Sequence, residues 1–446
     1  MPIVLACLVL ACVTLPAQQP LYFPPLAGSS WETVAPASLG WQTNRIDSLL
    51  AFLQQRNTKA FLVLHNGRIA IEHYFGTFTR DSLWYWASAG KSVTAFLVGM
   101  AQQDGSLSIH APTATYLGSK WTSCSADQEQ RITIWHQLTM TSGLDDGVAN
   151  PDCTEPQCLV CRAEPGSRWA YHNAPYTLLS SVLEAATGKS FNTYFAQTLK
   201  ARTGMTGLWI KSGDNIVLIS NARSMARFGL LILNRGIWAD DTLLSDTAYV
   251  RQMLTPSQSL NPSYGYLWWL NGQRAFMLPR AQYVFPGPLM PHAPPDMVAA
   301  LGKNGQILNV VPSRGVIVVR MGEAPDTAAE VTTVFNDEMW QYLSGIIGQQ
   351  TSSVAAELFW PAPNLDCFPN PFDQATTIRL SLPQREHVTL KVFDVLGREV
   401  ATLANSMFDA GEHRIEVEAT CWAPGMYRYQ IITHHGILQR LMVVVK

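Results

Sequence analysis

Residues Trp84 to Ala101, WYWASAGKSVTAFLVGMA, limit most strongly how this chain can fold. After Lys91 the run is apolar almost all round, with only Ser92 and Thr94 as small polar interruptions. A helix without a polar face belongs inside a domain rather than on its surface. Such a helix needs other layers packed around it, and 446 residues suffice for a large core and two or three domains. Into this stretch the sequence sets a lysine. Ser88 and Lys91 are three positions apart, so they share a helix face one turn apart. An isolated ammonium in an apolar interior is expensive, and the usual response is a lowered pKa. A lysine that loses its proton near neutral pH, within reach of a hydroxyl, is a base able to activate it. A serine in the first helical turn also brings its oxygen close to unpaired backbone N–H groups that favour developing negative charge. The competing reading makes Ser88 an N-cap and lets Lys91 snorkel to solvent.

A formal net charge of -2 with 14% charged residues gives no electrostatic case for nucleic acid or an anionic membrane. Val4 to Leu15 is a hydrophobic run of signal-peptide length, too short to span a bilayer, so residues 1–17 are expected to be a signal peptide cleaved near Ala17. Lipid anchoring at Cys12 is an alternative. Downstream, the apolar piece Phe228 to Leu233 is too short to cross a membrane. Beyond the signal, Cys124, Cys153, Cys158, Cys161, Cys367 and Cys421 remain, an even number in an exported chain. Two disulfides are expected among the first four, and Cys367 with Cys421 as the third. Cys158-x-x-Cys161 also has the spacing of half a zinc site or a redox pair, but no histidine lies at ligand spacing around it.

Along the chain, Arg45 to Gln55 has helical periodicity. Strands Ala60 to Leu64 and Ile69 to Tyr74 flank His65-Asn66-Gly67-Arg68, a strong hairpin signal. Thr133 to Thr139 reads as an N-capped helix whose His136 packs or hydrogen-bonds. Phe191 to Lys200 and Ser224 to Asn234 are further helices, and Tyr264 to Gly272 reads as a strand with its turn. Strands Ile307 to Val311 and Gly315 to Arg320 follow, then a terminal helix from Thr327 to Ile347. Proline-rich residues 351–369 read as a linker. From Asn370 onward, five to seven short alternating runs between Gly, Pro and Asp turns argue a small beta-sandwich.

Ser88-x-x-Lys91, after the hairpin and before VTAFLVGMAQQDGSLSIHAP, resembles the serine beta-lactamase and penicillin-binding protein superfamily. The likeness is to its class C branch, with its esterases, D-amino-acid peptidases and amide-oligomer hydrolases, and covers roughly Leu50 to Ile347. Tyr171-His172-Asn173 is similar to the Tyr-x-Asn motif of that branch. The resemblance implies that Tyr171 shares a proton with Lys91 and that Asn173 holds the substrate. A tyrosine beside an ammonium ionises more easily, and a proton shared by two groups belongs to the pair. Each motif occurs once in the sequence. YGYLWWLNG resembles a family strand, which makes Trp268 or Trp269 a candidate for stacking on ligand. Where the family has Lys-Thr-Gly or His-x-Gly beside its cleft, this chain has Ala300, Leu301 and Gly302. The glycine is kept where substrate approaches closely, and the N–H of Lys303 is the implied second oxyanion donor. The missing cationic or hydroxyl group favours an esterase or amidase over a beta-lactamase. The insertion Asp145 to Ala163 is a candidate specificity element.

The tail, with Asn370-Pro371-Phe372 and Asp394-x-x-Gly397-Arg398-Glu399-Val400, resembles the C-terminal sorting domain of the type IX secretion system. The expected architecture is α/β (α+β): a signal peptide over 1–17, then a hydrolase domain over 18–350. That domain has a central antiparallel sheet flanked by helices plus an all-helical region; a linker over 351–369 and a beta-sandwich over 370–446 follow. The expected function is a secreted or cell-surface serine hydrolase, with Ser88, Lys91 and Tyr171 catalytic and Asn173, Gly302, Lys303 and Trp268 binding substrate. No metal or organic cofactor is expected. The partners are a small ester, amide or peptide-like substrate and the type IX machinery. Alternatives are a D-alanyl-D-alanine carboxypeptidase or beta-lactamase, and a non-catalytic envelope binding protein on the same scaffold.

Overall fold

Asn66 and Gly67 both take positive φ, 45° and 82°, the combination a two-residue hairpin connection demands. They join strand β1 (Thr58–His65) to β2 (Arg68–Tyr74). Both belong to a computed structural model that describes residues 21–325, 331–348, 365–382, 385–394, 398–409, 411–433 and 436–445. The expected signal peptide and residues 351–364 of the expected linker lie outside the described residues. The chain divides into two compact units, Met1–Asp246 with Gln252–Gln350, and Thr247–Arg251 with Thr351–Lys446.

In the first unit a small hairpin, β3 (Leu208–Ser212) and β4 (Asn215–Ser220), stands apart from the main sheet. The main sheet adds β5 (Trp269–Leu270), β6 (Val298–Gly302), β7 (Gln306–Val311) and β8 (Val316–Gly322). Its six antiparallel strands run in the order β2-β1-β8-β7-β6-β5. Of the strand expected over Tyr264 to Gly272, Trp269–Leu270 joins the main sheet; Leu267, at φ 58°, bends the chain just before it, and Tyr264 makes an isolated bridge to Trp269. Strands β7 and β8 are buried along their whole length, as continuous apolar runs between two helical layers should be.

Helix α1 (Ile46–Gln55) packs on β1. Reactive helix α2 (Gly90–Gln103) is buried at every residue from Gly90 to Ala101, as its missing polar face requires. The short helix α3 (Asn173–Thr177) faces the cleft described below, and α4 (Ala222–Leu233) lies against β1, β7 and β8. Helix α5 (Thr333–Ile347) packs on α1 and covers the opposite face of the sheet. There Asn336 Nδ2 donates to Asn309 Oδ1 (3.0 Å), and Asn336 Oδ1 accepts from Asn309 Nδ2 (2.7 Å). Leu308, one residue along β7, instead meets α4, the alternation a pleated strand imposes.

Arg320 on β8 is fully buried and donates to Thr58 Oγ1 and to the carbonyls of Arg56, Asn304, Gly305 and Glu323, at 2.7–3.1 Å. Two of those acceptors belong to the turn Lys303–Gly305, which follows β6. An Arg320→Met variant strands these acceptors in a dry interior, so we expect it to lose about 3–5 kcal/mol of unfolding free energy in denaturant titration.

Among the described residues the second unit holds seven strands between Leu365 and Val444. They form sheets of three and four strands, with Ile378, Leu380, Val388, Leu390 and Ile431 among the shared buried core. Two of the seven, Leu365–Phe368 and Glu399–Phe408, lie outside the runs read from the sequence. Glu399–Phe408 is an edge strand with no buried residue, so it lacks the apolar alternation that marks a strand. The bridge expected between Cys367 and Cys421 is not formed. In register, Cys367 is level with Ile415 two strands away, and Cys421 lies beyond the end of that strand. At about 4.8 Å per strand and 3.3 Å per residue, the two exceed the roughly 7 Å reach of a disulfide.

Candidate active site

Ala87–Ala89 is a single 3-10 turn that runs directly into α2, so Ser88 sits just ahead of the helix rather than within its first α turn. Ala87 takes φ 46°, a left-handed conformation that costs a residue with a side chain about 1–2 kcal/mol. Neighbours hold it there. Trp86 N donates to Leu218 O (2.8 Å) and its Nε1 to Ser220 Oγ (2.7 Å), which ties the turn to β4. On the other side β6 comes so near that a Cβ on Gly302 would lie 2.3 Å from Trp86 O and 3.0 Å from Ala89 N. The reason for a glycine there is therefore backbone packing against the reactive turn, and not only substrate approach. Gly302→Ala has to push that turn and β6 apart. Displacements near 1 Å cost catalysis about a hundredfold, so acylation should fall far more than the melting temperature, as a labelling rate measured beside a thermal melt will show.

Lys91 Nζ donates to Ser88 Oγ at 2.9 Å, and Lys91 is only 3% exposed. The snorkelling alternative fails on that burial. Loss of solvent pushes the Lys91 pKa down to about 7, opposed by the negative charge of Asp152. The amine lies over two aromatic faces, 5.0 Å from the ring centre of Tyr171 and 4.3 Å from that of Tyr176. Burial pushes the Tyr176 phenol upward.

The Tyr171 ring is stacked on Trp269 (5.7 Å, 24°), with Tyr264 edge-on at 6.2 Å. Trp269 is thus the wall behind Tyr171. Trp268, expected to bind substrate, does not reach the cleft: it is fully buried and stacked on Phe228. Trp269 opens β5, whereas Trp268 lies before it, just past the bend at Leu267, and only Trp269 turns towards the site. His172, between Tyr171 and Asn173, is buried, and that burial holds it neutral with a pKa near 4. His136 caps its helix by accepting from Thr133 N at 3.1 Å, and is likewise pushed down to about 4 by burial.

Asn173 opens α3. Its Nδ2 donates to Asp152 Oδ1 at 2.8 Å, while its own Oδ1 is buried with no hydrogen-bond partner among the described residues. Asp152 comes from the Asp145 to Ala163 insertion. Disulfides Cys124–Cys161 and Cys153–Cys158 pin that insertion, so neither sulfur of the Cys158-x-x-Cys161 pair is available to zinc or to redox pairing. Pro151 O accepts from Ala174 N (3.2 Å), and Asn150 Nδ2 donates to Asp214 Oδ2 (2.8 Å) at the turn of the β3–β4 hairpin.

Ser88, Lys91, Asp152, Tyr171, Asn173 and Lys303 line one cleft of ≈ 380 Å³, together with residues of β3, β4 and the Arg280 segment, a size suited to a small organic ligand. Sequence reasoning missed Asp152 as a part of this site and, of the two tryptophans it offered, preferred Trp268 to Trp269. The only signal for Asp152 was its place beside Cys153 in the insertion. For Trp269 it was the doubled tryptophan, read for the wrong member. Such a group of residues can exchange a proton between a hydroxyl, an amine and a phenol next to backbone N–H donors.

The beta-lactamase family model matches residues 46–333, and that of the secretion system C-terminal sorting domain matches residues 366–445. An uncharacterized protein of Alkalihalophilus pseudofirmus is 24% identical over 299 residues, 58% of this chain and 81% of the relative. Among solved structures, a beta-lactamase candidate from Bacteroides dorei aligns with TM-score 0.56 and 20% identity over 69% of this chain and all of that one. A candidate 6-aminohexanoate-dimer hydrolase from Bacillus anthracis gives 0.52 and 19% over 73% and 87%. A family VIII carboxylesterase gives 0.51 and 13% over 70% and 99%. These likenesses are of fold. The sorting domain marks an exported chain, secreted or held at the cell surface. Among the described residues no helix is long and apolar enough to cross a membrane.

Proposed function

The chain belongs to the beta-lactamase family of serine hydrolases, and from that premise we propose that it cleaves an ester or amide through an acyl-enzyme on Ser88. The observation that carries this reading is the 2.9 Å bond between Lys91 Nζ and Ser88 Oγ, made by an amine whose burial brings its pKa to about 7. In its neutral form Lys91, with Tyr171, takes the Ser88 proton as Oγ attacks the carbonyl carbon. The N–H groups of Ser88 and Lys303 donate to the oxyanion. Tyr171 returns the proton to the leaving group, and water then hydrolyses the acyl-enzyme by the reverse route. Asn173 orients the substrate. We read residues 18–350 as the hydrolase domain and 370–446 as the sorting domain, joined over 351–369. Ala300 and Leu301 leave β6 without a cation or hydroxyl for a substrate carboxylate, which favours an ester or amide over a beta-lactam or peptidoglycan peptide.

A fluorophosphonate or penicillin probe should label Ser88, identified by peptide mass spectrometry; a binding protein on this scaffold would stay unlabelled. A panel of esters, short amides and one beta-lactam, with D-alanine release scored, separates the hydrolase reading from the carboxypeptidase and lactamase alternatives. Because the base must be unprotonated, kcat/KM should rise with pH through about 7 and level off above it. A profile flat from about pH 5 to about pH 9 would remove Lys91 from that role.

A further inference from the structure

We propose that the cleft selects substrates bearing a protonated primary amine near the scissile carbonyl, and that Asp152 is the residue that recognises it; this rests on the acyl-enzyme reading above. Asp152 lines the cleft with a carboxylate that has no cationic ion-pair partner among the described residues and accepts from Asn173 Nδ2. That bond fixes the Asn173 amide, whose own Oδ1 is buried with no hydrogen-bond partner among the described residues. The neighbouring carboxylate differs: Asp146 is paired with Arg168 at 2.5 Å, with both side chains largely buried. Asp152 and Lys91 feel each other's charge without forming an ion pair.

Once Lys91 is neutral and ready to act as base, this wall keeps one uncompensated negative charge and two acceptor atoms. An oxyanion forming at the carbonyl would be repelled by that charge. A substrate ammonium against the Asp152 carboxylate cancels the repulsion, so it helps the transition state more than the ground state. Arg280 and Lys303 line the same cleft, and Lys303, which is exposed, follows directly after β6. An anionic substituent near Asp152 has no such welcome.

The test compares the 4-nitrophenyl esters and anilides of alanine, both enantiomers, with those of isobutyrate, in which a methyl replaces the ammonium. At about pH 7.5 the wild-type enzyme should prefer at least one alanine enantiomer by about tenfold or more in kcat/KM. Asp152→Asn should collapse that ratio towards one and Asp152→Glu should restore part of it. The charge-neutral variant should also move the rising limb of the pH profile to lower pH, because the Lys91 cation loses a stabilising neighbour. Equal kcat/KM for the two acyl groups in the wild type, or a ratio that Asp152→Asn leaves unchanged, overturns the inference. Isobutyryl turnover with Ser88 labelling tests the hydrolase reading separately. If both persist while the ratio is one, only the amine preference falls; if both are absent, the acyl-enzyme reading falls instead.

Discussion

Ser88→Ala should lower turnover of a small acyl ester by at least about four orders of magnitude, with a melting temperature close to that of the parent. The asymmetry follows from what the side chain does. Its Oγ forms the bond on which both half-reactions depend, and Lys91 Nζ lies 2.9 Å away, at hydrogen-bond distance to activate it. In the resting fold the same oxygen contributes one hydrogen bond from a half-buried turn, worth about 1 kcal/mol net. The measurement is steady-state hydrolysis beside a thermal melt, with probe labelling of the same preparation. Undiminished turnover in the purified variant would end the assignment of Ser88.

Lys91→Met should do two opposite things. Activity should fall by about two to four orders of magnitude, while the folded protein becomes more stable. A buried amine shifted from 10.5 to about 7 costs folding roughly 5 kcal/mol at or below neutral pH, at 1.36 kcal/mol per unit. The sign is fixed by proton counting. Between about pH 7 and the unfolded value the unfolded chain carries a proton the folded one lacks, so wild-type stability rises with pH across that window. Below it both states are protonated and the penalty is constant. Methionine removes the penalty but also the bond to Ser88 and the contacts with the Tyr171 and Tyr176 rings, so a net gain of about 2–4 kcal/mol near pH 6 is expected from chemical denaturation. A variant that loses both activity and stability would mean that Lys91 is held as a satisfied ion rather than as a strained base.

The two expectations rest on different kinds of information. That Ser88 and Lys91 meet is a property of a three-residue spacing, and Tyr171 and Asn173 come from a pattern equally short. The hairpin through Asn66-Gly67 and the apolar runs of β7 and β8 were legible for the same reason, since each element is specified within a few residues. Trp268 and Trp269 mark the limit. Which of the two adjacent tryptophans faces the cleft depends on the pairing of Trp269 with Ala299 and on Phe228 behind Trp268. Cys367 and Cys421 failed similarly: an even cysteine count is local knowledge, but whether two sulfurs come within reach is set by register.

By itself the sequence determined that a lysine would stand one turn from a serine on a helix that must be buried, because no face of that helix is polar. It also determined that the tail would be a separate strand-rich sorting unit, because its period and punctuation change near Asn370. Only the tertiary structure decided what surrounds the amine. A carboxylate from a disulfide-pinned loop, an aromatic wall from β5 and the close approach of Gly302 to the reactive turn all join parts of the chain far apart in sequence. Their meeting depends on how the layers pack, and no spacing along the chain encodes it.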